Sequence, residues 1–321
     1  MDLTLRALSH DDIPAWARLL ADIEKVDRTG EHYSPADLEE EMANPDIELG
    51  KDIVGGFEGD TLVGYFAVYS RGEAEGFFKV HGEGSVHPDR RGEGIGTKLV
   101  EAMVSRAEAV RAEKSGGSPG KLMCTGLTSN TAQEALLADA GMHAQRWNFQ
   151  MRTSLDDVPP PPPLPSGYEL RQYDASMADA MRAAHNVAFL DHPNFSQWSE
   201  AAWKQWVTES RNFRPDLSRT VVPVGSDEIV AYVQTNEFDA TFEATGIREA
   251  YVGKLGTLRE HRGKGIAAAL LGHCLAAYQQ AGYDESALDV DSQNPTGALG
   301  VYERAGFAVE SRWANYVKVI G

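Results

Sequence analysis

The chain has 321 residues, long enough for two domains of ordinary size that each bury a core of their own. Its 42% hydrophobic and 24% charged residues place it among soluble globular proteins. The formal net charge of −18 argues against a nucleic-acid partner, which needs a basic face, and leans toward a cationic acceptor, although solubility alone also explains an acidic surface.

The opening Met1-Asp2-Leu3-Thr4 lacks a basic stretch followed by an apolar one, so no secretory signal is expected. The longest apolar run, Ile266 to Tyr278, is broken by His273 and is too short to span a bilayer. A cytoplasmic protein without a membrane partner, monomeric or homodimeric, is the expectation. Leu3 to Ala7 reads as a strand, and Ser9 to Asp12 as a helix start before the periodic segment Ile13 to Ile23. Ser34-Pro35 opens an acidic helix through Met42. Strands Ile53 to Phe57 and Leu62 to Ser70 form a hairpin over Glu58-Gly59-Asp60. A strand around Gly84 to Val86 leads into a glycine-rich loop and helix Thr97 to Lys114. Strand Leu122 to Thr125, helix Thr131 to Ala140 and a strand near Trp147 to Met151 close the half.

Val158 to Pro165 is almost all proline and reads as a semi-rigid polyproline II linker; an SH3-type ligand is the alternative. The expected domains are therefore residues 1–155 and 167–321, joined by 156–166. In the second half Tyr168 to Arg171 is a strand, and Ala175 to Phe189 and Glu200 to Val207 are helices. Thr220 to Val224 and Ile229 to Asn236 form a hairpin, and Glu249 to Leu255 is a strand before a second glycine-rich loop. Helix Ala268 to Tyr278, strand Ala287 to Val290, helix Thr296 to Arg304 and strand Arg312 to Val319 follow. Cys124 and Cys274, one in each half, make neither a disulfide framework nor a metal cluster and read as buried thiols.

Each glycine-rich loop joins a strand to a helix start, where the first N–H groups have no internal partner and the helix dipole favours an anion. Neither loop fits the Walker pattern GxxxxGK[ST], and the second lacks the third glycine of a dinucleotide fingerprint. Both fit [RQ]xxGx[GA], as Arg262-x-x-Gly265-x-Ala267 and Arg91-x-x-Gly94-x-Gly96. The copies lie about 170 residues apart, and Leu3 to Arg6 matches Tyr168 to Arg171 at nearly the same interval, as Ser129-Asn130 matches Gln293-Asn294; a period this long signals duplicated domains.

The loop resembles the pyrophosphate-binding loop of the GNAT superfamily of acetyl-CoA-dependent N-acetyltransferases. The run Asn294 to Phe307, with Tyr302 shortly before Gly306-Phe307, looks like the closing motif of that family. The order of elements is similar to a GNAT domain twice over, with a narrower and looser likeness to one tandem-domain branch. The resemblance implies an α/β (α+β) fold with two mixed central sheets flanked by helices, and acetyl-CoA as co-substrate without a metal. It implies that acetyl-CoA is held by Leu255, Gly256, Thr257, Arg262, Gly263, Lys264, Gly265, Ile266, Ala267 and Asn294. In the first half the corresponding set is Val86, Arg91, Gly92, Glu93, Gly94, Ile95 and Gly96.

Amide formation needs a neutral amine, although a free alkyl amine has a pKa near 10, so a carboxylate must take a proton. A phenol near the departing sulfur would stabilise its developing charge. By resemblance, Tyr302 is the phenol and Glu249 the base. Asp289 and Asp291 alternate with Leu288 and Val290, so they share a face; they bind the acceptor's cation or act as the base instead. His185, Phe189 and His192, at helical spacing and followed by Trp198, Trp203 and Trp206, are the acceptor-pocket candidates, core packing being the alternative. In the first half the position of Tyr302 is taken by Leu137 and that of Glu249 by Phe78, so that half is expected to bind without catalysing. The expected activity is acetyl transfer to the primary amine of a small molecule. The alternatives are another acyl group or a protein amine, and a CoA sensor without turnover.

Overall fold

The computed structural model describes residues 3–192, 195–294 and 297–321, without the Arg71 side chain. The chain forms two compact units: Met1–Trp147 with Arg312–Gly321, and Asn148–Ser311.

The first unit runs β1 (Thr4–Ala7), α1 (Ile13–Asp27), α2 (Pro35–Met42), β2 (Ile53–Glu58), β3 (Thr61–Ala74), β4 (Phe77–Val86), α3 (Ile95–Lys114), β5 (Gly120–Leu127) and α4 (Thr131–Asp139). Ser34 starts α2 through a capping box with Asp37, which satisfies two otherwise unpaired N–H groups. Neighbouring strands from β1 to β4 are antiparallel, and β4 pairs with β5 in parallel. Helix α3 covers one face with Leu99, Met103 and Ala107 over Val80 and Leu122. Helices α1 and α2 cover the other with Trp16, Leu19 and Leu38 over Ile53 and Ala67.

The next elements are β6 (His143–Ser154), β7 (Tyr168–Gln172), α5 (Ala178–Ala188), α6 (Glu200–Trp203), β8 (Arg219–Pro223), β9 (Ala231–Asn236), α7 (Asp239–Thr245), β10 (Glu249–Thr257), α8 (Ile266–Gln280), β11 (Glu285–Asp291), α9 (Ala298–Arg304) and β12 (Ala308–Ile320). In the second unit α8 packs Ile266, Leu270 and Cys274 on Val233, Ala250 and Leu288. Met181, Ala184 and Trp203 of α5 and α6 cover the opposite face with Val222 and Tyr232. Both cysteines are buried thiols, as expected. Helix α7 carries no clear apolar period and was not expected; Thr296, where the closing helix was expected to begin, lies outside the described residues.

The duplicated mixed sheets agree with the sequence, but the boundaries differ from 1–155 and 167–321. Residues 313–320 of β12 pair antiparallel with β5 of the first unit, Trp313 opposite Leu127 and Ile320 opposite Gly120. Residues 148–154 of β6 pair antiparallel with β11 of the second, Asn148 opposite Asp291 and Ser154 opposite Glu285. Each half thus gives its last strand to the other's sheet, which local periodicity cannot encode because a strand pattern names no partner. The proline segment is no free spacer either: Val158 and Leu164 join the second core, and a side chain on Gly272 of α8 would strike Pro162 at 2.9 Å.

In both units the parallel pair separates. The β4–β5 ladder ends at His81 and Met123, and the β10–β11 ladder at Tyr251 and Ala287, although all four strands continue. In β10 a bulge falls between Val252 and Lys254, so one extra residue bends the strand away. The strand ends beyond each separation face a gap, and each gap opens a cavity.

Tyr316 of β12 is 4% exposed and packed in the first unit's core. Tyr316→Ala should therefore destabilise the first unit by about 3 kcal/mol, the usual cost of removing a buried aromatic ring. Urea melts followed by hydrogen exchange at the β5 amides measure it; unchanged protection in β5 would show that the exchanged strand does not support that sheet.

Candidate functional site

The second cavity has a volume of about 620 Å³ and lies where β10 leaves β11. Leu255, Gly256, Thr257, Arg262, Gly263, Gly265, Ile266, Ala267 and Asn294 all line it. Gly263 and Gly265 have φ of 73° and 83°, a region that side chains resist, and a Cβ at either would meet nothing within 4 Å. The loop is therefore open above, and the unpaired N–H groups at the start of α8 follow directly, which suits a phosphate.

Arg262 does other work than the motif suggests. Its Nε donates to the Thr257 carbonyl at 3.0 Å, one terminal nitrogen to Asp191 at 3.0 Å and the other to the Ala188 carbonyl at 2.6 Å. The guanidinium ties the loop to β10 and to the end of α5, so it shapes the cradle. Lys264 does not line the cavity; its ammonium donates to the Tyr168 hydroxyl at 3.2 Å.

Past the bulge the cavity meets titratable groups. Tyr302 of α9 is 7% exposed and lines the cavity, and burial pushes its hydroxyl up to about 12, so it stays protonated at neutral pH. Asp289 and Asp291 line the same wall. The Tyr251 hydroxyl donates to Asp289 at 2.7 Å, yet desolvation by the surrounding protein still pushes this carboxyl above its ordinary value. Asp291 accepts the Gln293 N–H at 2.8 Å and lies 3.8 Å from the His192 ring.

Glu249 stands at the start of β10 and is absent from the cavity lining. Its carboxylate lies 2.9 Å from Arg152, whose guanidinium also meets Glu285 at 2.6 Å and Glu310 at 3.0 Å. Burial, with only that shared cation to offset it, pushes Glu249 up to about 7. Alternation puts Glu249, Tyr251, Glu285 and Asp289 on one sheet face, and of these Asp289 lines the cavity.

The expected acceptor residues come together. His185, Phe189 and His192 line the cavity from α5 and the turn after it, joined by Phe195 and Trp198. His185 is 3% exposed, shares a hydrogen bond with the Tyr232 hydroxyl through Nδ1, and is pushed by burial down to about 3, so its ring is neutral. Trp203 is core at 1% exposure. Sequence reasoning missed Phe195, Tyr251 and Lys254. Simple alternation puts Lys254 on the α8 face; the bulge at Gly253 turns it to the α5 face, where its ammonium sits 4.7 Å from the Trp198 ring centre.

The first unit repeats the cradle around a cavity of about 750 Å³ lined by Val86, Arg91, Gly92, Gly94 and Gly96. Arg91 repeats the tether of Arg262: Nε donates to the Val86 carbonyl at 3.2 Å, and the terminal nitrogens donate to Asp27 at 2.7 Å. Glu93 and Ile95 do not line it; Glu93 pairs with Arg90 at 2.7 Å, and Ile95 is 4% exposed in the core. Arg90, also paired with Glu58, is committed to carboxylates. Leu137 lines the cavity, whereas Phe78 is buried in the core and does not.

Comparison with known proteins agrees with this geometry. Residues 178–307 match the Acetyltransferase (GNAT) family and residues 2–143 match an Acetyltransferase (GNAT) domain. The chain is 32% identical to a mycothiol acetyltransferase of Salinispora arenicola over 234 residues, covering 72% of this chain and 71% of the relative. It is 27% identical to that of Actinosynnema mirum over 314 residues, covering 97% of each. The crystal structure of a GCN5-related N-acetyltransferase from Sphaerobacter thermophilus superposes with a TM-score of 0.75 at 26% identity, over 99% of this chain and 95% of the other. A tandem GNAT protein from the clavulanic acid biosynthesis pathway shares the fold, with a TM-score of 0.74 at 18% identity, over 100% and 99% of the two chains. Two open glycine cradles beside two separated parallel strand pairs, both within matched GNAT regions, have one common explanation: the chain belongs to the GNAT family, as an acyl-CoA-dependent N-acetyltransferase with two tandem GNAT domains similar to the mycothiol acetyltransferases.

Proposed function

We propose that the second unit transfers acetyl from acetyl-CoA to the primary amine of a small molecule in a direct ternary complex, and that the first unit binds CoA without turnover. The observation that carries this reading is that the second cavity joins the cradle to a protonated phenol on α9 and two carboxylates, whereas the first has Leu137 at that place of α4, its own phenols, Tyr33 and Tyr65, and the carboxylate Glu83 coming from outside that helix. Acetyl-CoA is the co-substrate in this reading, its pyrophosphate on the N–H groups at the start of α8 and its pantetheine along the free edge of β10. The amine attacks the thioester carbon, the C–S bond breaks, and the Tyr302 hydroxyl donates its proton to the departing sulfur. A carboxylate accepts the proton that the amine loses.

Glu249, with a pKa of about 7, is the proposed acceptor, reached through water along the Tyr251–Asp289 row. Asp289 is the competing acceptor, favoured because it lines the cavity itself. A cytoplasmic setting remains the proposal; no helix among the described residues is long and apolar enough to cross a membrane.

Gly265→Val forces a branched residue into the left-handed region and puts its side chain above the loop. Acetyl-CoA affinity at the second site should fall at least about tenfold, equivalent to 1.4 kcal/mol. Calorimetry should still detect CoA at the first unit while acetyl transfer is nearly abolished. Unchanged affinity at the second site removes the cradle assignment, and substantial turnover makes the first unit an active enzyme.

Tyr302→Phe keeps the packing against Phe307 and loses only the hydroxyl. Turnover should fall by about 10² to 10⁴ with the melting temperature nearly unchanged, as loss of a general acid predicts. Wild-type turnover under chemistry-limited conditions would return Tyr302 to a purely structural role.

The proton acceptor must be ionised, so kcat/KM should rise with pH through about 7 and then level, well below the amine's own titration near 10. Glu249→Gln should flatten that limb. Survival of the limb in Glu249→Gln and its loss in Asp289→Asn would transfer the role to Asp289.

A further inference from the structure

The acceptor end of the second cavity is built unlike its cradle. Phe189, Phe195 and Trp198, the last with Lys254 over its ring, line it and are only partly buried. They surround His185, with ring centres 4.4, 5.5 and 6.0 Å from the imidazole. Trp203 and Tyr232 support the imidazole from behind, at 5.0 and 6.1 Å. Burial keeps that imidazole neutral, so it adds an uncharged ring to the wall.

The wall is also held in place. The Asn186 side chain brackets the backbone of Trp198, accepting its N–H at 2.9 Å and donating to its carbonyl at 3.1 Å. Arg182 adds a third bond to that carbonyl at 3.4 Å. A chain segment fixed at both its polar groups presents its indole with little freedom left to lose on binding.

Charge gives the pocket a direction. Lys254 sits 4.7 Å from the Trp198 ring centre. Asp289, Asp291 and Tyr302 line the same cavity, Asp289 bonded to the Tyr251 hydroxyl and Asp291 3.8 Å from the His192 ring. A cationic amine is drawn toward the carboxylates, and the rest of the molecule falls among the rings.

We infer that the acceptor of this site is a primary amine carrying an apolar ring, whose ring stacks among Phe189, Phe195 and Trp198 while its nitrogen faces Asp289 and Tyr302. This rests on the acetyl-transfer reading above and adds the substrate class. A polyhydroxylated aminosugar would strand its hydroxyl groups against aromatic carbon, where they lose water without gaining partners. A polyamine has no ring to stack on these side chains and would set charged nitrogens against aromatic carbon. Asn186 is a positioning residue that acts through Trp198.

The test measures kcat/KM of the full chain with acetyl-CoA and phenethylamine, glucosamine or spermidine. Phenethylamine should be preferred over both by about tenfold or more, the factor that one stacked aromatic contact supplies. Trp198→Ala and Asn186→Ala should raise the KM for phenethylamine about as much, with kcat and the calorimetric affinity for acetyl-CoA nearly unchanged, and Trp198→Phe should restore most of the loss. Preference for glucosamine or spermidine, or a KM indifferent to Trp198→Ala in a variant that still binds acetyl-CoA, overturns the substrate class and leaves acetyl transfer standing. Absence of acetylation of every amine removes the transfer reading and this assignment together.

Discussion

The second unit depends on one departure from regular pairing. Three residues after β10 begins, its parallel ladder with β11 ends, and the bulge at Gly253 carries the strand away. A parallel ladder left intact would consume the β10 backbone groups and close the gap. Separated, the same groups border a cavity that Tyr302, Asp289 and Asp291 also line. The bulge also inverts alternation, so Lys254 and Gly256 turn to the acceptor side. Gly256 has no side chain there because a Cβ would strike the Tyr232 ring at 2.5 Å.

The two units share the scaffold and differ in their reactive groups. Both arginines of the repeated motif are spent on the same tether, to the carbonyl of the preceding strand end and to an aspartate on or just beyond a helix end, Asp27 or Asp191. In both units the guanidinium thus links the glycine turn to the strand before it and to a neighbouring helix end. The helices after the cradles differ in the residue they set against the cavity, Leu137 in α4 where α9 carries Tyr302.

Electrostatics in the second unit follow from supply. Glu249, Glu285 and Glu310 share the single guanidinium of Arg152. One cation cannot compensate three carboxylates, and the most buried of them is the one pushed up to about 7. Burial acts in the opposite direction on His185, which is kept neutral, and upward on Tyr302. Burial thus keeps an imidazole neutral and a phenol protonated in the cavity, and raises the Glu249 carboxyl outside it.

The sequence by itself determined most of the elements, α7 excepted, the duplication, the two glycine turns and the place of Tyr302 before Gly306, because these rest on local rules: periodicity, helix starts and the left-handed conformation open to glycine. His185, Phe189 and His192 were legible as one group by spacing, but α5 ends at Ala188, so Phe189 and His192 reach the cavity from the turn after it, and spacing alone could not tell a cavity wall from core. Only the tertiary structure decided the rest. Which sheet receives 148–154 and which receives 313–320 is a matter of long-range pairing, and a strand pattern carries no address. The face of Lys254 was hidden by a bulge that reverses alternation. The tether of Arg262 and the separation of Glu249 from the cavity depend on atoms remote in sequence, Asp191, Ala188 and Arg152, which come into contact only when the sheet and its helices close around them.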